Sequence, residues 1–195
     1  NIASIPFLQA LRDLCFEQKW LFMADEIQSG MGRTGKFLAI DHAGISADVL
    51  TLAKGLANGI AIGACLTRGE TNHLFSPEKH GSTLGGNPFA CAMGLKTVEL
   101  LQTHRLIENA ERQGLALLNT LIEQFAKHSV VKSIRGKGLM LGVECHAPCK
   151  GIVKIALQHG LLVNVPQPHV VRFLPPYIIQ SGDIDVLAEK YEKVL

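Results

Sequence analysis

Two polar residues, Asp25 and Lys54, each follow a short apolar run of the kind that forms buried strands. The first run is Trp20–Ala24 and the second is Val49–Ala53. Continuous apolar runs of this length are typical of strands that are buried on both faces of a mostly parallel sheet. Ligands of such sheets bind beyond the carboxyl ends of the strands, so we expect Asp25 and Lys54 to face one shared pocket.

A carboxylate and an amine at one sheet edge allow two interpretations. Strand position alone favours a simple salt bridge between them. In the second interpretation, Lys54 is a nucleophile that forms a Schiff base, and Asp25 pairs with a protonated heterocycle. Pyridoxal phosphate requires that combination, because the carboxylate keeps the ring nitrogen protonated and the ring can then accept the electrons of a substrate carbanion.

A glycine-rich segment between these two residues, Gly30–Gly35, matches the pattern G-x-G-x-x-G of dinucleotide-binding proteins. In those proteins the first glycine stands directly at a strand end and a helix begins inside the motif. Here residues 25–29 intervene, and Lys36–Gly44 is too short and too closely bounded by glycine to be that helix. We therefore predict a tight loop and no dinucleotide site.

The composition indicates a globular chain and excludes several classes of function. The 195 residues carry 19 Lys and Arg against 17 Asp and Glu, so there is no basic excess that would predict a nucleic-acid partner. The longest uncharged stretches, Gly55–Thr67 and Gly81–Leu95, are shorter than the roughly 18 residues that a membrane span requires. A charged fraction of 18% with 47% hydrophobic residues excludes disorder.

The five cysteines are odd in number and irregularly spaced, which indicates free thiols in a reducing, cytoplasmic compartment. Cys145 and Cys149 flank His146, but no second Cys or His pair at ligand spacing accompanies them. We therefore predict a loop there and no metal site. The first residues, Asn1–Ser4, show neither a signal peptide nor an initiator methionine, and we expect the chain to be a fragment.

Apolar periodicity predicts an α/β arrangement that would position Asp25 and Lys54. A helix (Pro6–Lys19) precedes the two strands, a third strand (Gly63–Thr67) follows them, and a long helix begins at Asn87. A second long helix begins after His104, where we place a domain boundary, giving domains 1–103 and 104–195. The second domain is predicted to contain strands 130–134, 139–144, 161–165 and 170–174 and helices 152–159 and 184–194.

Five segments, in order along the chain, resemble the signature of the class III (ω-amino-acid type) aminotransferases. They are Phe22–Gly35, Ala47-Asp48 with Leu52–Leu56, His80–Pro88, Arg135–Met140 and Val171–Pro176. The resemblance covers essentially the whole chain and is nearest to the acetylornithine and succinylornithine branch of that family. It implies an α/β fold: part of the mostly parallel cofactor-domain sheet of a fold-type I pyridoxal-phosphate enzyme, followed by a smaller C-terminal α+β domain.

The resemblance also implies a role for each residue of the cofactor-binding segments. Asp25 pairs with the pyridine nitrogen of pyridoxal 5'-phosphate, Ile27 packs on the ring face, and Gln28 lies near the ring hydroxyl. Glu26 belongs to the same cofactor-binding segment, where it is expected to act as a structural acid. Lys54 forms the Schiff base and then moves a proton between the substrate and the cofactor.

The remaining implied roles concern the substrate and a partner subunit. Ser82 lies near the acylornithine substrate, and Arg172 grips a carboxylate of the substrate or of 2-oxoglutarate with its bidentate fork. Thr83 reaches the cofactor phosphate of the neighbouring subunit in a homodimer. Without the resemblance, Ser82 and Thr83 simply shape a turn before the helix at Asn87. Arg172, in an apolar strand, is expected to have a carboxylate partner.

The function that the resemblance implies is transfer of the terminal amino group of N-acetylornithine, or of succinylornithine, to 2-oxoglutarate in arginine biosynthesis. Ornithine, 4-aminobutyrate or another ω-amine is the alternative donor. Chains of the family are about twice as long, and their phosphate-binding segment, stacking aromatic residue and one substrate arginine belong to the half that is absent here. We therefore expect a C-terminal half that needs a complementary chain and has little or no activity by itself.

Overall fold

The computed structural model describes residues 1–74, 76, 78 and 80–195 and divides the chain into two units. Unit 1 is Asn1–Ile107 and unit 2 is Glu108–Leu195. The boundary predicted from the sequence, between residues 103 and 104, lies a little before this division. The assignment of the two parts to a cofactor domain and a small C-terminal domain stays a prediction.

Unit 1 contains a three-stranded sheet in the order β1-β2-β3, where β1 is Met23–Asp25, β2 is Val49–Leu52 and β3 is Ala64–Thr67. β1 and β2 are parallel, and the connection 26–48 is long enough for the crossover that a parallel pair needs. β3 is antiparallel to β2. Since the connection 53–63 is shorter than the roughly twelve residues of a parallel crossover, β3 departs from the mostly parallel arrangement that we expected.

The prediction that the first strand is buried on both faces is wrong for this structure. Phe22 is buried, but Trp20, Leu21 and Met23 are 60%, 51% and 63% exposed. β1 is an edge strand, because within the described part of the chain only β2 pairs with it. β2 has a neighbour on each side and is buried at both of its ends.

Helices α1 (Ile5–Glu17) and α2 (Pro88–Thr103) each begin at a side chain that caps them. Ser4 Oγ accepts the N–H of Phe7 at 3.4 Å, and Asn87 Oδ1 accepts the N–H of Ala90 at 2.9 Å. α2 packs against a short 3-10 helix, Lys54–Ala57, that directly follows β2. Helix α2 therefore supports the segment that begins with Lys54.

Unit 2 contains a four-stranded antiparallel sheet in the order β4-β5-β7-β6. Its strands are β4 (Val131–Lys137), β5 (Met140–Cys145), β6 (Asn164–Gln167) and β7 (Val170–Phe173), and its helices are α3 (Leu106–Phe125, most of which belongs to this unit), α4 (Ile152–Gln158) and α5 (Ser181–Glu192). These elements match the predicted ones, although β6 begins three residues later than expected. The β6–β7 register is irregular between Asn164 and Gln167, where Pro166 has no N–H to donate.

Alternating burial along β5 and β7 gives the unit 2 sheet an apolar face and a polar face. The apolar face forms one core with α3 and α5, which includes Leu141, Val143, Val171 and Phe173 of the strands and Leu117, Leu121, Phe125, Ile184, Ala188 and Tyr191 of the helices. The polar face carries Gly142, Glu144 and Arg172. None of the helices in the described ranges is long and apolar enough to cross a bilayer.

Candidate active site

The carboxylate of Asp25 is held at the carboxyl end of β1 by two hydrogen bonds to one of its oxygens. Oδ1 accepts the backbone N–H of Ile27 at 3.0 Å and the hydroxyl of Thr51, its register partner on β2, at 3.4 Å. Among the described residues no hydrogen bond reaches Oδ2, and Asp25 is exposed. One oxygen is therefore oriented by the protein, and the other is available to a donor beyond the strand ends. Ile27 and Gln28 are half-buried, and their contacts with a cofactor stay predictions.

The neighbouring residue, Glu26, is buried and stabilises the loop that follows β1. Its Oε1 accepts the N–H of Ile40 at 2.9 Å, and its Oε2 accepts the hydroxyl of Ser29. Gly30 lies directly against it, since a Cβ at that position would stand 2.8 Å from both the Glu26 carbonyl oxygen and the Leu52 side chain. Both carboxylate oxygens of Glu26 are thus engaged within the loop, as a structural acid requires.

The glycine-rich segment Gly30–Gly35 forms tight turns, as predicted. The N–H of Gly32 donates to the carbonyl of Phe37 at 3.1 Å, and the N–H of Gly35 donates to the carbonyl of Gly32 at 3.0 Å. Gly32 has a φ of +88°, a backbone conformation that favours glycine. Residues 26–48 are all described, and they contain a short 3-10 helix, Ala39–Ala43, but no α-helix. The structural context of a dinucleotide-binding motif is therefore missing from this segment.

Lys54 is the first residue of the 3-10 helix that follows β2. Its φ of +46° is left-handed, a conformation that costs a residue other than glycine about 1–2 kcal/mol. Strained backbone of this kind is concentrated at functional sites, where the surrounding structure maintains it. The Lys54 side chain is exposed, so the described residues do not provide the burial that we expected around a nucleophilic amine.

Asp25 and Lys54 lie at the carboxyl ends of neighbouring parallel strands, as the sequence predicted. In the described ranges neither residue takes part in an ion pair, so the salt-bridge interpretation has no support in this structure. A cleft of about 260 Å³ in unit 1 lies elsewhere, at the amino end of β2, where Asp48, Leu66 and Arg68 contribute to its walls. The candidate site therefore lies at the exposed carboxyl ends of β1 and β2 and is not an enclosed pocket.

Ser82 and Thr83 lie in an exposed loop that precedes α2. The hydroxyl of Ser82 accepts the N–H of Gly85 at 3.0 Å, and Nδ2 of Asn87 donates to the carbonyl of Leu84 at 3.0 Å. These bonds form the turn that the residue types alone predict. The roles of Ser82 toward a substrate and of Thr83 toward a neighbouring subunit stay predictions.

Arg172 lies on the polar face of the unit 2 sheet, between two register partners. Its partner on β5 is Gly142, and its partner on β6 is Asn164. The Nε–H of Arg172 donates to Oδ1 of Asn164 at 3.0 Å. The sequence analysis expected a carboxylate beside this guanidinium and did not identify the side-chain amide of Asn164 as a partner.

Cys145 and Cys149 are both buried at the end of β5 and in the loop after it. Burial, together with the neighbouring Cys149, raises the pKa of the Cys145 thiol to about 11. The Sγ of Cys149 donates to the carbonyl of Pro168 at 3.5 Å. Across the described ranges no group of three or more His, Cys, Asp or Glu side chains is arranged to hold a metal ion.

Thr51 and Asn164 are side chains on neighbouring strands that contact candidate residues and that sequence reasoning did not identify. Thr51 orients Asp25, and Asn164 orients Arg172. Each lies opposite its partner on a neighbouring strand. Aligning the two predicted strands by their carboxyl ends would have placed Asp25 opposite Lys54, so the register that brings Thr51 opposite Asp25 could not be obtained from the sequence. No sequence signal indicated Asn164 either, because the strand that carries it begins later than its apolar run.

Comparison with known proteins finds relatives along the whole chain. The family profile described as Aminotransferase class-III matches residues 1–195. The chain is 45% identical over 183 residues to acetylornithine aminotransferase 1 of Bordetella pertussis, covering 94% of this chain and 47% of that protein. It is 38% identical over 194 residues to the acetylornithine aminotransferase of Methanocaldococcus jannaschii, covering 100% of this chain and 49% of that protein. The chain thus spans about half the length of the curated relatives it matches.

Solved structures share the fold. The ornithine aminotransferase of Toxoplasma gondii matches with a TM-score of 0.94 at 32% identity, over 100% of this chain and 47% of that one. The acetylornithine aminotransferase of Elizabethkingia anophelis matches with a TM-score of 0.93 at 29% identity, over 99% of this chain and 52% of that one. The fold is therefore that of part of a fold-type I aminotransferase, as the resemblance implied. Since the family profile matches its whole length, the chain belongs to the class III aminotransferases.

Proposed function

We propose that this chain is part of a pyridoxal-phosphate-dependent aminotransferase that moves the terminal amino group of N-acetylornithine, or of N-succinylornithine, to 2-oxoglutarate. The observation that carries the proposal is the placement of Asp25 and Lys54 at the carboxyl ends of two parallel neighbouring strands. The names of the relatives from B. pertussis and M. jannaschii support the acylated donor. On the same basis we propose a role in arginine biosynthesis in the cytoplasm.

Asp25 fits the nitrogen of a pyridine ring. Its Oδ1 is fixed by Ile27 and Thr51, and its Oδ2 is left for a second donor. An ionised carboxylate beside a ring nitrogen favours the protonated form of that nitrogen. When bound, pyridoxal phosphate supplies an aldehyde that reacts with amines and a ring that accepts electrons. Asp25 thus contributes by holding one proton at the ring nitrogen.

Lys54 would supply the amine that holds the cofactor and, with its amine free, a base. Its backbone is held in a strained turn, and α2 packs behind the 3-10 helix that it begins. The backbone of Lys54 is therefore held after the carboxyl end of β2, next to the strand that ends at Asp25. A free Nζ can take a proton from the carbon that bears the transferred amino group and return it at the next step.

The remaining residues are proposed to bind the substrates and a second subunit. Arg172 binds a carboxylate of the donor or of 2-oxoglutarate, because a guanidinium matches a carboxylate with two parallel hydrogen bonds. Ser82 contacts the acylated donor, and Thr83 reaches the cofactor phosphate of the partner in a homodimer. Units 1 and 2 then correspond to part of the cofactor domain and to the small C-terminal domain.

The donor is tested with a panel of amines and the full-length protein that contains this chain. With 2-oxoglutarate as acceptor, we expect kcat/KM for N-acetylornithine or N-succinylornithine to exceed that for ornithine and 4-aminobutyrate by about tenfold or more. Asp25→Asn should lower the rate with every donor, whereas Asp13→Asn, on the exposed side of α1, should not. If none of the amines in the panel gives glutamate, the proposal is refuted.

Ornithine is the alternative donor, and the structural comparison favours it over other amines. The structure with a TM-score of 0.94 is an ornithine aminotransferase at 32% identity. If kcat/KM in the same panel is highest for ornithine, ornithine is the donor and the acylated amines are not. If it is highest for 4-aminobutyrate, that amine is the donor.

A second candidate function is that of a lobe that becomes active only with a complementary chain. Trp20 and Leu21 are exposed just before β1, and Met23 is exposed within it. Asp25, at the end of β1, and Lys54, after β2, are exposed too. Exposed apolar side chains beside an unpaired strand edge form a surface that stable proteins cover. We expect the purified 195-residue chain to bind the cofactor weakly and to turn over poorly. A robust transamination rate from a chain whose mass is verified would contradict this candidate.

A further inference from the structure

The hydroxyl of Thr51 donates to the carboxylate of Asp25 across the parallel strands β1 and β2. The two residues are register partners, and Oγ1 of Thr51 lies 3.4 Å from Oδ1 of Asp25. The same oxygen accepts the backbone N–H of Ile27 at 3.0 Å. Within the described residues, the hydrogen bonds of Asp25 therefore all end on one of its two oxygens.

The two hydrogen bonds differ in what they connect to the carboxylate. The N–H of Ile27 belongs to the same chain segment, two residues after Asp25, so this contact follows the end of β1 wherever that end lies. The hydroxyl of Thr51 comes from β2, the strand that directly precedes the segment beginning with Lys54. Thr51 thus ties the carboxylate to the strand that leads to Lys54.

The branched side chain of Thr51 suits this role. A β-branched residue has few χ1 rotamers, so its hydroxyl is held in place at a low entropic cost. Thr51 is half-buried in β2, the central strand of the sheet. A donor held firmly at Oδ1 restricts the rotation of the Asp25 carboxylate, and the direction of Oδ2 is restricted with it.

We propose that Thr51 is a positioning residue for Asp25 and that its hydroxyl sets the direction in which Oδ2 meets the ring nitrogen of the cofactor. This inference rests on the proposed function, which gives Asp25 its role at that nitrogen. Thr51 acts through the carboxylate and not on the cofactor. If the carboxylate turns away from the ring nitrogen, a charge-assisted hydrogen bond is weakened, because its strength depends on alignment.

Five variants separate this role from a general effect on folding. Thr51→Val and Thr51→Ala remove the hydroxyl, and valine keeps the branched shape, whereas Thr51→Ser keeps the hydroxyl. Asp25→Ala removes the carboxylate itself. Thr67→Val is the matched control, since Thr67 is a half-buried residue of β3 whose hydroxyl donates to Oδ1 of Asn72 at 2.9 Å. It lies opposite Val49, at the other end of β2.

The probes are pyridoxal phosphate and its analogue in which a C–H group replaces the ring nitrogen. Both dissociation constants are measured by fluorescence titration on the full-length protein that contains this chain. The preference is the constant of the analogue divided by that of pyridoxal phosphate. Because intrinsic differences between the probes are the same for every variant, a change in this ratio reports the contact at the ring nitrogen. The midpoint of urea unfolding is measured in parallel.

We expect the unaltered protein to prefer pyridoxal phosphate by about tenfold or more, and Asp25→Ala to lose most of this preference. Thr51→Val and Thr51→Ala should lower it by about threefold to tenfold, whereas Thr51→Ser and Thr67→Val should change it less than about twofold. A purely structural role of Thr51 in the strand would move the urea midpoint and leave the preference unchanged.

The outcomes distinguish the inference from the function on which it rests. The positioning role is wrong if Asp25→Ala loses the preference but Thr51→Val or Thr51→Ala keeps it. It is also wrong if Thr51→Ser or Thr67→Val loses as much as Thr51→Val does. If the unaltered protein shows no preference, or if Asp25→Ala retains it, the roles of both Thr51 and Asp25 are wrong. A preference that depends on both residues, in a protein that forms no glutamate from any amine, would support the inference and refute the proposed function.

Discussion

The carboxylate of Asp48 accepts the backbone N–H of Phe22 at 2.8 Å and thereby joins the residue before β1 to the residue before β2. Arg12 of α1 binds the same carboxylate with two nitrogens, at 2.8 Å and 3.1 Å, and its guanidinium lies 5.9 Å from the centre of the Phe22 ring. This arrangement fixes the start of the parallel pair, whose other end carries Asp25 and precedes Lys54.

The first prediction concerns the stability that Asp48 provides. Burial raises the pKa of Asp48, but the Phe22 N–H and Arg12 outweigh it and leave the pKa below its ordinary value of 3.8. Since the pKa is lowered by folding, the stabilisation is complete above about pH 4 and is lost as the pH falls through the folded-state value. We expect Asp48→Asn to lower the free energy of unfolding by about 1–2 kcal/mol at pH 7.

Urea unfolding at pH 7 and at pH 3 checks this prediction. The difference between the unaltered chain and Asp48→Asn should shrink at the lower pH. Asp13→Asn, an exposed position on the same helix as Arg12, should show no difference at either pH. An equal loss of stability at both values of pH would show that the charge of Asp48 is not the cause.

The second prediction concerns Glu144 on the polar face of the unit 2 sheet. Lys132, at 2.7 Å, and then Arg135, at 2.6 Å, hold its pKa at about 2, well below the ordinary 4.5. The stabilisation from this ionised carboxylate is therefore present above about pH 4.5 and is lost as the pH falls through about 2. Lys132→Gln should raise the pKa that a carboxyl NMR titration reports, whereas Lys137→Gln, an exposed position on the same strand, should leave it unchanged. A Glu144 pKa near 4.5 in the unaltered chain would contradict these contacts.

The third prediction compares two glycines that both lie in α-helices. A Cβ at Gly114 of α3 would stand 2.2 Å from the backbone of Gly138 in the β4–β5 turn, whereas a Cβ at Gly182 of α5 meets nothing within 4 Å. Helix propensity alone predicts that alanine stabilises both positions by up to about 1 kcal/mol. We expect this gain for Gly182→Ala and a loss of about 2–3 kcal/mol for Gly114→Ala, because two backbones must move apart. Thermal unfolding measures both, and equal effects of the two variants would contradict the close approach.

The fourth prediction concerns Tyr191, which is fully buried in the unit 2 core. Its ring meets Phe125 and Phe173 edge-on, with ring centres 5.2 Å and 4.9 Å away. Its hydroxyl has no hydrogen-bond partner among the described residues, and burial raises its pKa well above the ordinary value. Tyr191→Phe should therefore leave stability unchanged or raise it by about 1 kcal/mol, because an unpaired buried hydroxyl is removed. A clear loss of stability in urea unfolding would show that the hydroxyl has a partner.

Much of unit 2 could be predicted from the sequence because its pattern agrees with its packing. The apolar face predicted for the second long helix comprises Leu106, Ala110, Leu117, Leu118, Leu121, Ile122 and Phe125. Four of these residues, Ala110, Leu117, Leu121 and Phe125, are buried in the core, Leu106 and Leu118 are half-buried, and Ile122 is exposed. Alternation along β5 and β7 is equally clear, since each strand has one face in that core. These elements are specified by contacts within the unit, so that local periodicity is enough to find them.

Unit 1 was less predictable because its elements depend on neighbours that sequence patterns do not reveal. The run Trp20–Ala24 reads as a buried strand, yet β1 is short and stands at the edge of the sheet with Met23 exposed. The antiparallel direction of β3 was not predicted either. It follows from the connection between β2 and β3, which is too short for a parallel crossover. The positions of Asp25 and Lys54 were nevertheless predictable, because a charged residue at the end of an apolar run marks the end of a strand.

The central claim is that Lys54 is the amine that binds the cofactor, and its most direct test is chemical trapping. The protein is incubated with pyridoxal phosphate, reduced with borohydride and mapped by peptide mass, with Lys54→Arg and the exposed Lys36→Arg as a matched pair. We predict one reduced adduct on the peptide that contains Lys54, lost in Lys54→Arg and retained in Lys36→Arg. An adduct that is spread over other lysines, or that persists in Lys54→Arg, would contradict the claim.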